Sequence, residues 1–143
     1  MVEAIIFKRI LLALLLGGII GFERERAHKA AGLRTHTLVC VASTLFTLLA
    51  VYGYPNSEEA SSRIIANIMI GIGFIGGGAI LRQDSHVTGT TTAASLWAVA
   101  AIGTAVGMGF IFPAVLVTLI GYIILTVLWR LEMHMSGSSH NAP

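Results

Sequence analysis

The residues with the most chemistry to offer sit where apolar runs end. Glu23, Arg24, Glu25, Arg26 and Lys29 follow the first run, Arg34 opens the second, Arg82 and Asp84 close the third, and Thr90, Thr91 and Thr92 open the fourth. Carboxylates and hydroxyls are the hard oxygen ligands that Mg²⁺ accepts, usually with water retained. Glu23, Glu25 and Asp84 are therefore the weak candidate ligands for such an ion. The threonine-rich start of a helix presents free backbone N–H groups to an anion. Glu25 and Lys29 are four apart, which suits a helical ion pair. The plainer reading is a salt-bridged, hydroxyl-capped boundary that fixes helix ends; contact with lipid headgroups is a further reading. Placement at the ends of three consecutive runs predicts that Glu25, Arg34, Arg82 and Asp84 form one connected network. With Asn67, Thr91 and Thr92 they make up the expected functional polar cluster.

Other chemistry is thin. Gly71-Ile72-Gly73-Phe74-Ile75-Gly76 matches G-x-G-x-x-G but lies inside an apolar run. A dinucleotide site needs a strand before the motif, a helix after it and an acidic residue about 20 positions on, so that reading is rejected. Close packing is the default for this run; a broken helix whose freed carbonyls line a cavity is the alternative. Asn67 is an amide within an apolar run and should find a partner across helices. His28, His36 and His86 come without metal-site spacing and read as interfacial polar residues. Cys40, the single cysteine, reads as a small core hydrophobe. These residues suggest neither an enzyme nor a resident cofactor; Mg²⁺ association is the most that the carboxylates imply.

The elements that must position these groups are membrane helices. The 143-residue chain is 55% hydrophobic and 11% charged, against about 25% charged in soluble domains. A chain this short cannot bury so much apolar surface in water. Spans of about 20 apolar residues are expected at Ala4 to Phe22, Thr35 to Tyr54, Ile64 to Leu81, Thr92 to Gly107 and Phe110 to Leu131. The fold class is thus all-α, an integral membrane bundle of about five transmembrane helices. Residues 1–135 form the transmembrane domain and 136–143 a disordered tail. Lys8 and Arg9 make the first span resemble a signal peptide, but no cleavage site follows it, so it reads as a retained anchor whose cations snorkel to the interface. Gly107-Met108-Gly109 predicts a tight hairpin between the last two spans, with one long kinked helix as the alternative. Gly17 and Gly21, Gly73 and Gly77, and Gly103 and Gly107 have the spacing that lets helix backbones approach closely in lipid.

Orientation follows from the basic residues. Arg24, Arg26, Lys29, Arg34, Arg82 and Arg130 fall on one side; Lys8, Arg9 and Arg63 fall on the other with the acidic Glu58-Glu59 loop. The positive-inside rule then puts the C-terminus in the cytoplasm. A net charge of +2, with no basic stripe, argues against nucleic acid as a partner.

Several motifs in order resemble the MgtC/SapB family. The first runs from Gly17 through Gly21-Phe22-Glu23-Arg24-Glu25 to Lys29-Ala30-Ala31-Gly32-Leu33-Arg34-Thr35-His36. The second is Arg63-Ile64-Ile65-Ala66-Asn67-Ile68 leading into Gly71 to Ile80. The third is Val87 to Trp97, with Ala101-Ile102-Gly103 after it. The resemblance covers about Gly17 to Gly109. Asn67 stands where glutamine is usual, which keeps an amide, and Thr90 stands where leucine is usual. Longer members carry a soluble C-terminal domain, so the resemblance concerns the membrane domain.

The resemblance implies a multi-pass protein of the prokaryotic plasma membrane, linked to Mg²⁺ homeostasis and growth in low Mg²⁺, with virulence and intracellular survival in some relatives. It also implies a regulator that binds other membrane proteins, such as the F-type ATP synthase, with a transporter or channel for Mg²⁺ or another small solute as the alternative. Few oxygen ligands lie at depth in the spans, which favours the regulator. Beside the lipid bilayer, a second copy is the expected partner, most simply in a two-fold dimer.

Overall fold

The computed structural model describes residues 2–83 and 86–131, so Asp84 and the segment from residue 132 onward, the expected tail included, lie outside the described residues. Five helices follow one another: α1 (Val2–Arg26), α2 (Leu33–Gly53), α3 (Glu58–Gly78), α4 (Thr90–Met108) and α5 (Ile111–Ile123). A π-helical segment, Ile124–Leu128, carries the last helix on to Leu131. All five are long and apolar enough to cross a membrane. Consecutive helices run in opposite directions. The end of α1, the start of α2, the end of α3, the start of α4 and the end of the last span therefore share one face of the bundle.

Local sequence explains the boundaries. Glu23 to Arg26 continue α1 for a further turn, where arginines at a helix C-terminus suit its dipole. α3 begins before its apolar run because Ser57 accepts a hydrogen bond from the Ala60 N–H, at 3.2 Å, and Glu58 and Glu59 occupy the first turn. Between α4 and α5 the expected hairpin forms. Gly109 adopts φ +91°, and the N–H groups of Gly109 and Phe110 close back on the carbonyls of Val106 and Ala105, a Schellman stop.

The polar stretch after α3 forms a short hairpin. Leu81–Gln83 (β1) pairs antiparallel with His86–Thr88 (β2), Leu81 opposite Thr88. Gly89, at φ +86°, turns that hairpin into α4; a Cβ there would lie 1.9 Å from the Ala79 carbonyl oxygen. For the glycine run of α3 the broken-helix alternative is excluded, because α-helix continues from Glu58 through Gly78.

α4 is the most buried helix and touches all four others. Its Val99, Ile102 and Val106 pack with Ala13, Leu16 and Ile20 of α1, Cys40 of α2, Ala114 of α5 and Leu125. Glycine makes the approach possible. A Cβ on Gly17 would lie 2.6 Å from the Cys40 Cβ, one on Gly103 2.2 Å from the Cys40 carbonyl oxygen, and one on Gly107 2.5 Å from the Thr47 Cβ. The partners on α2 are small residues, His36 apart, along one stripe: His36, Cys40, Ser43, Thr44 and Thr47. Thr44 Oγ1 reaches the Gly103 carbonyl oxygen, at 2.8 Å, and such a bond between helices is worth about 0.6 kcal/mol in a membrane. α3 packs chiefly on α2 and α4, and buries only Ile72 and Gly76 of its own residues.

Candidate functional site

The last turn of α1 carries two buried charges. Glu23 and Arg24 are both buried, and Arg24 Nε donates to Glu23 Oε2. Arg24 Nη2 also donates to the Leu125 carbonyl, at 3.3 Å, in the π-helical segment. That segment disturbs the regular helix ladder at the point where the guanidinium arrives. The buried Arg24, paired with Glu23 within α1, thus ties that helix to the last span through its bond to Leu125.

The next residue works differently. Glu25 Oε2 accepts the backbone N–H of Leu33, at 3.0 Å. α2 has glycine at its N-cap, which offers no side-chain acceptor. Glu25 supplies that acceptor from the neighbouring helix.

His36 lies one turn further in and is fully buried. Its Nδ1 lies 2.9 Å from the Gly32 carbonyl oxygen and its Nε2 2.9 Å from Ser95 Oγ. A carbonyl only accepts, so Nδ1 carries the proton; in the neutral ring Nε2 accepts from Ser95. The single Ser95 hydroxyl proton is shared between that nitrogen and the Thr92 carbonyl oxygen, 2.8 Å away. The ring therefore bridges α2 and α4 and is buried within the bundle. His28 and His86 are exposed.

A cavity of about 400 Å³ opens beside this cluster. Arg24, Lys29, Thr91, Thr92, Leu125 and Trp129 are among its lining residues. Thr91 and Thr92 thus join Arg24 at one site. The structure does not bring the other expected members there. Arg34 and Arg82 are exposed and enter no ion pair among the described residues. Asn67 is exposed on α3 and lines a separate apolar groove of about 400 Å³ between α2 and α3. The connected network of Glu25, Arg34 and Arg82 is therefore replaced by the pair Glu23 and Arg24 with the bridge through His36 and Ser95. The signal for that replacement lies in helix phase: one further turn of α1 carries Glu23 and Arg24 inward and leaves Glu25 at the loop.

The candidate metal ligands are committed elsewhere. Glu23 is held by Arg24 and Glu25 by the Leu33 amide, and Asp84 lies outside the described residues. Among the described residues, no three His, Cys, Asp or Glu side chains gather as a metal site. On the opposite face, Arg9 turns inward and donates from Nη1 to the Gly107 carbonyl, at 2.7 Å. It closes the end of α4 where a snorkelling cation was expected.

The six paired glycines divide by environment. Gly17, Gly21, Gly103 and Gly107 are buried against α2, whereas Gly73 and Gly77, like Gly71 and Gly78, have nothing within 4 Å of where a Cβ would stand. Asn67, Gly71, Phe74 and Gly78 recur along one exposed face of α3 that borders the groove against α2, with Gly77 and Gly73 on its flank, and Phe74 is 88% exposed.

Comparison with known proteins fits this architecture. The sequence profile of the MgtC family matches residues 10–134. "Putative magnesium transporter YhiD" of Escherichia coli K12 is 34% identical over 139 residues, covering 93% of this chain and 65% of that protein. "Protein MgtC" of Brucella abortus is 43% identical over 106 residues, 74% of this chain and 44% of that one. An uncharacterized protein of Haemophilus influenzae is 38% identical over 122 residues, 80% of this chain and 51% of that one. The chain thus spans roughly half to two thirds of the length of these curated relatives. No solved structure matches it. With five membrane-length helices and a match over most of its length, this chain belongs to the MgtC family.

Proposed function

We propose that this protein serves Mg²⁺ homeostasis from the plasma membrane as a regulator, by docking on another membrane protein through α3. The name of the Escherichia coli relative supplies the link to magnesium. The observation that carries the mode of action is the outward face of α3. Its glycines are open where the glycines of α1 and α4 are packed. It also holds an exposed amide, Asn67, inside a span. An amide facing hydrocarbon gains from a partner across helices, and open glycines let that partner approach closely. The same face is where a second copy would meet this one in a two-fold dimer.

The centre of the bundle supports the same reading. Ala13, Leu16, Cys40, Val99, Ile102 and Val106 pack there, and the buried hydroxyls of Thr44, Thr47, Thr104 and Thr118 are spent on helix carbonyls, whereas a conducting path needs rings of oxygen ligands. The test is growth under Mg²⁺ limitation of cells that depend on the wild-type chain or on Gly77→Leu, with membrane abundance measured for both. The variant is expected to accumulate normally and to lose the growth benefit. Normal growth with Gly77→Leu would remove α3 from the mechanism.

A further inference from the structure

The cavity beside the last turn of α1 has two halves of opposite character. One carries Arg24, Lys29 and the start of α4; the other is built by Leu125, Leu128 and Trp129 of the last span. Arg24 is only 2% exposed. A guanidinium has five N–H donors. Nε serves Glu23 and Nη2 serves the Leu125 carbonyl, while Nη1 has no hydrogen-bond partner among the described residues. Thr92, 3% exposed, forms no side-chain hydrogen bond with the described residues. α4 starts after Gly89, which has no side chain to cap it, so the N–H groups of its first turn are also free of a side-chain partner.

Donors without acceptors therefore converge on one cavity. Glu23 already neutralises Arg24, so the favourable charge comes from Lys29 and from the positive end of the α4 dipole. That balance suits a group of low negative charge rich in acceptor oxygens, which describes a phosphodiester. The apolar half suits a chain attached to it, and the cavity lies at the ends of spans, where headgroups reside. The geometry points to a phosphate site in which Arg24, Lys29 and the start of α4 hold the headgroup of an anionic phospholipid, its acyl chain lying along Leu125, Leu128 and Trp129. The site stands independently of the regulator reading, because it uses none of α3.

The experiment uses the whole chain with Trp97→Phe, so that Trp129 is the only reporter, in nanodiscs doped with brominated phosphatidylglycerol or brominated phosphatidylcholine. Quenching of Trp129 should favour phosphatidylglycerol by about fivefold, the scale of one basic residue near a membrane surface. Lys29→Glu should abolish that preference. Arg26→Glu, an exposed change on the same face outside the cavity lining, should leave it intact. Inorganic phosphate that competes with the lipid at millimolar concentration, in the wild type and not in Lys29→Glu, would support the same site with free phosphate as a second source. Equal quenching by both lipids with no effect of phosphate, or an equal loss of preference in Arg26→Glu and Lys29→Glu, would overturn the proposal.

Discussion

Two sets of glycines with the same spacing live in opposite surroundings. Gly17, Gly21, Gly103 and Gly107 press α1 and α4 onto α2, where an added methyl group would meet backbone or Cβ atoms at 2.2 to 2.9 Å. Gly73 and Gly77 face open space. The spacing alone marks a capacity for close approach. Whether the chain spends that capacity on itself depends on the opposing helix. α2 meets the first set with Cys40, Thr44 and Thr47, small residues one or two turns apart. Nothing within the described residues meets the second set. The bundle is thus a packed unit of α1, α2 and α4, flanked by a helix with one face left for something else.

Substitutions should separate the two sets, and the largest effect belongs to the packed one. Gly103→Leu forces a side chain into the Cys40 carbonyl, a backbone atom that cannot move aside, so the cost exceeds the ~1–3 kcal/mol usual for an overfilled core. Little folded protein should survive extraction, as read by size-exclusion chromatography; a normal elution profile would break the comparison. Arg24→Ala comes next. It strands the buried Glu23 carboxylate, at a cost of about 3–5 kcal/mol. The double variant Glu23→Gln with Arg24→Gln should regain part of that loss in thermal unfolding. Thr44→Val removes the bond to the Gly103 carbonyl and should cost about 0.6 kcal/mol. At the other extreme, Gly77→Ala and Arg34→Ala should stay within about 0.5 kcal/mol of wild type, because the first meets open space and the second removes an exposed cation. A large loss of stability from Gly77→Ala in the isolated chain would sharpen the picture differently, by placing a partner copy on α3.

The sequence shows the spans readily because each is a long apolar run between polar clusters, and lipid admits few other solutions. The hairpin of α4 and α5 is equally legible, since Gly109 supplies the positive φ that the stop requires. The site is legible only in part. Thr91, Thr92 and the charged end of α1 lie where span ends predict. Which charges turn inward depends on helix phase past Phe22, and apolar periodicity stops being a guide there. Arg34 and Arg82 therefore drew attention that Glu23, Arg24 and His36 merited. The stripe on α2 is the signal that would have found His36, because it sits four residues before Cys40 on the packed face. The short strands of β1 and β2 carry no alternation long enough to read.

The central claim is that α3 offers a contact surface and that the bundle does not conduct Mg²⁺. Its most direct test is a Mg²⁺-sensitive dye enclosed in liposomes with the purified protein, beside empty liposomes and liposomes holding Gly77→Leu. The account predicts the same Mg²⁺ entry in all three. Saturable entry that requires the wild-type protein and disappears in Gly77→Leu would contradict it.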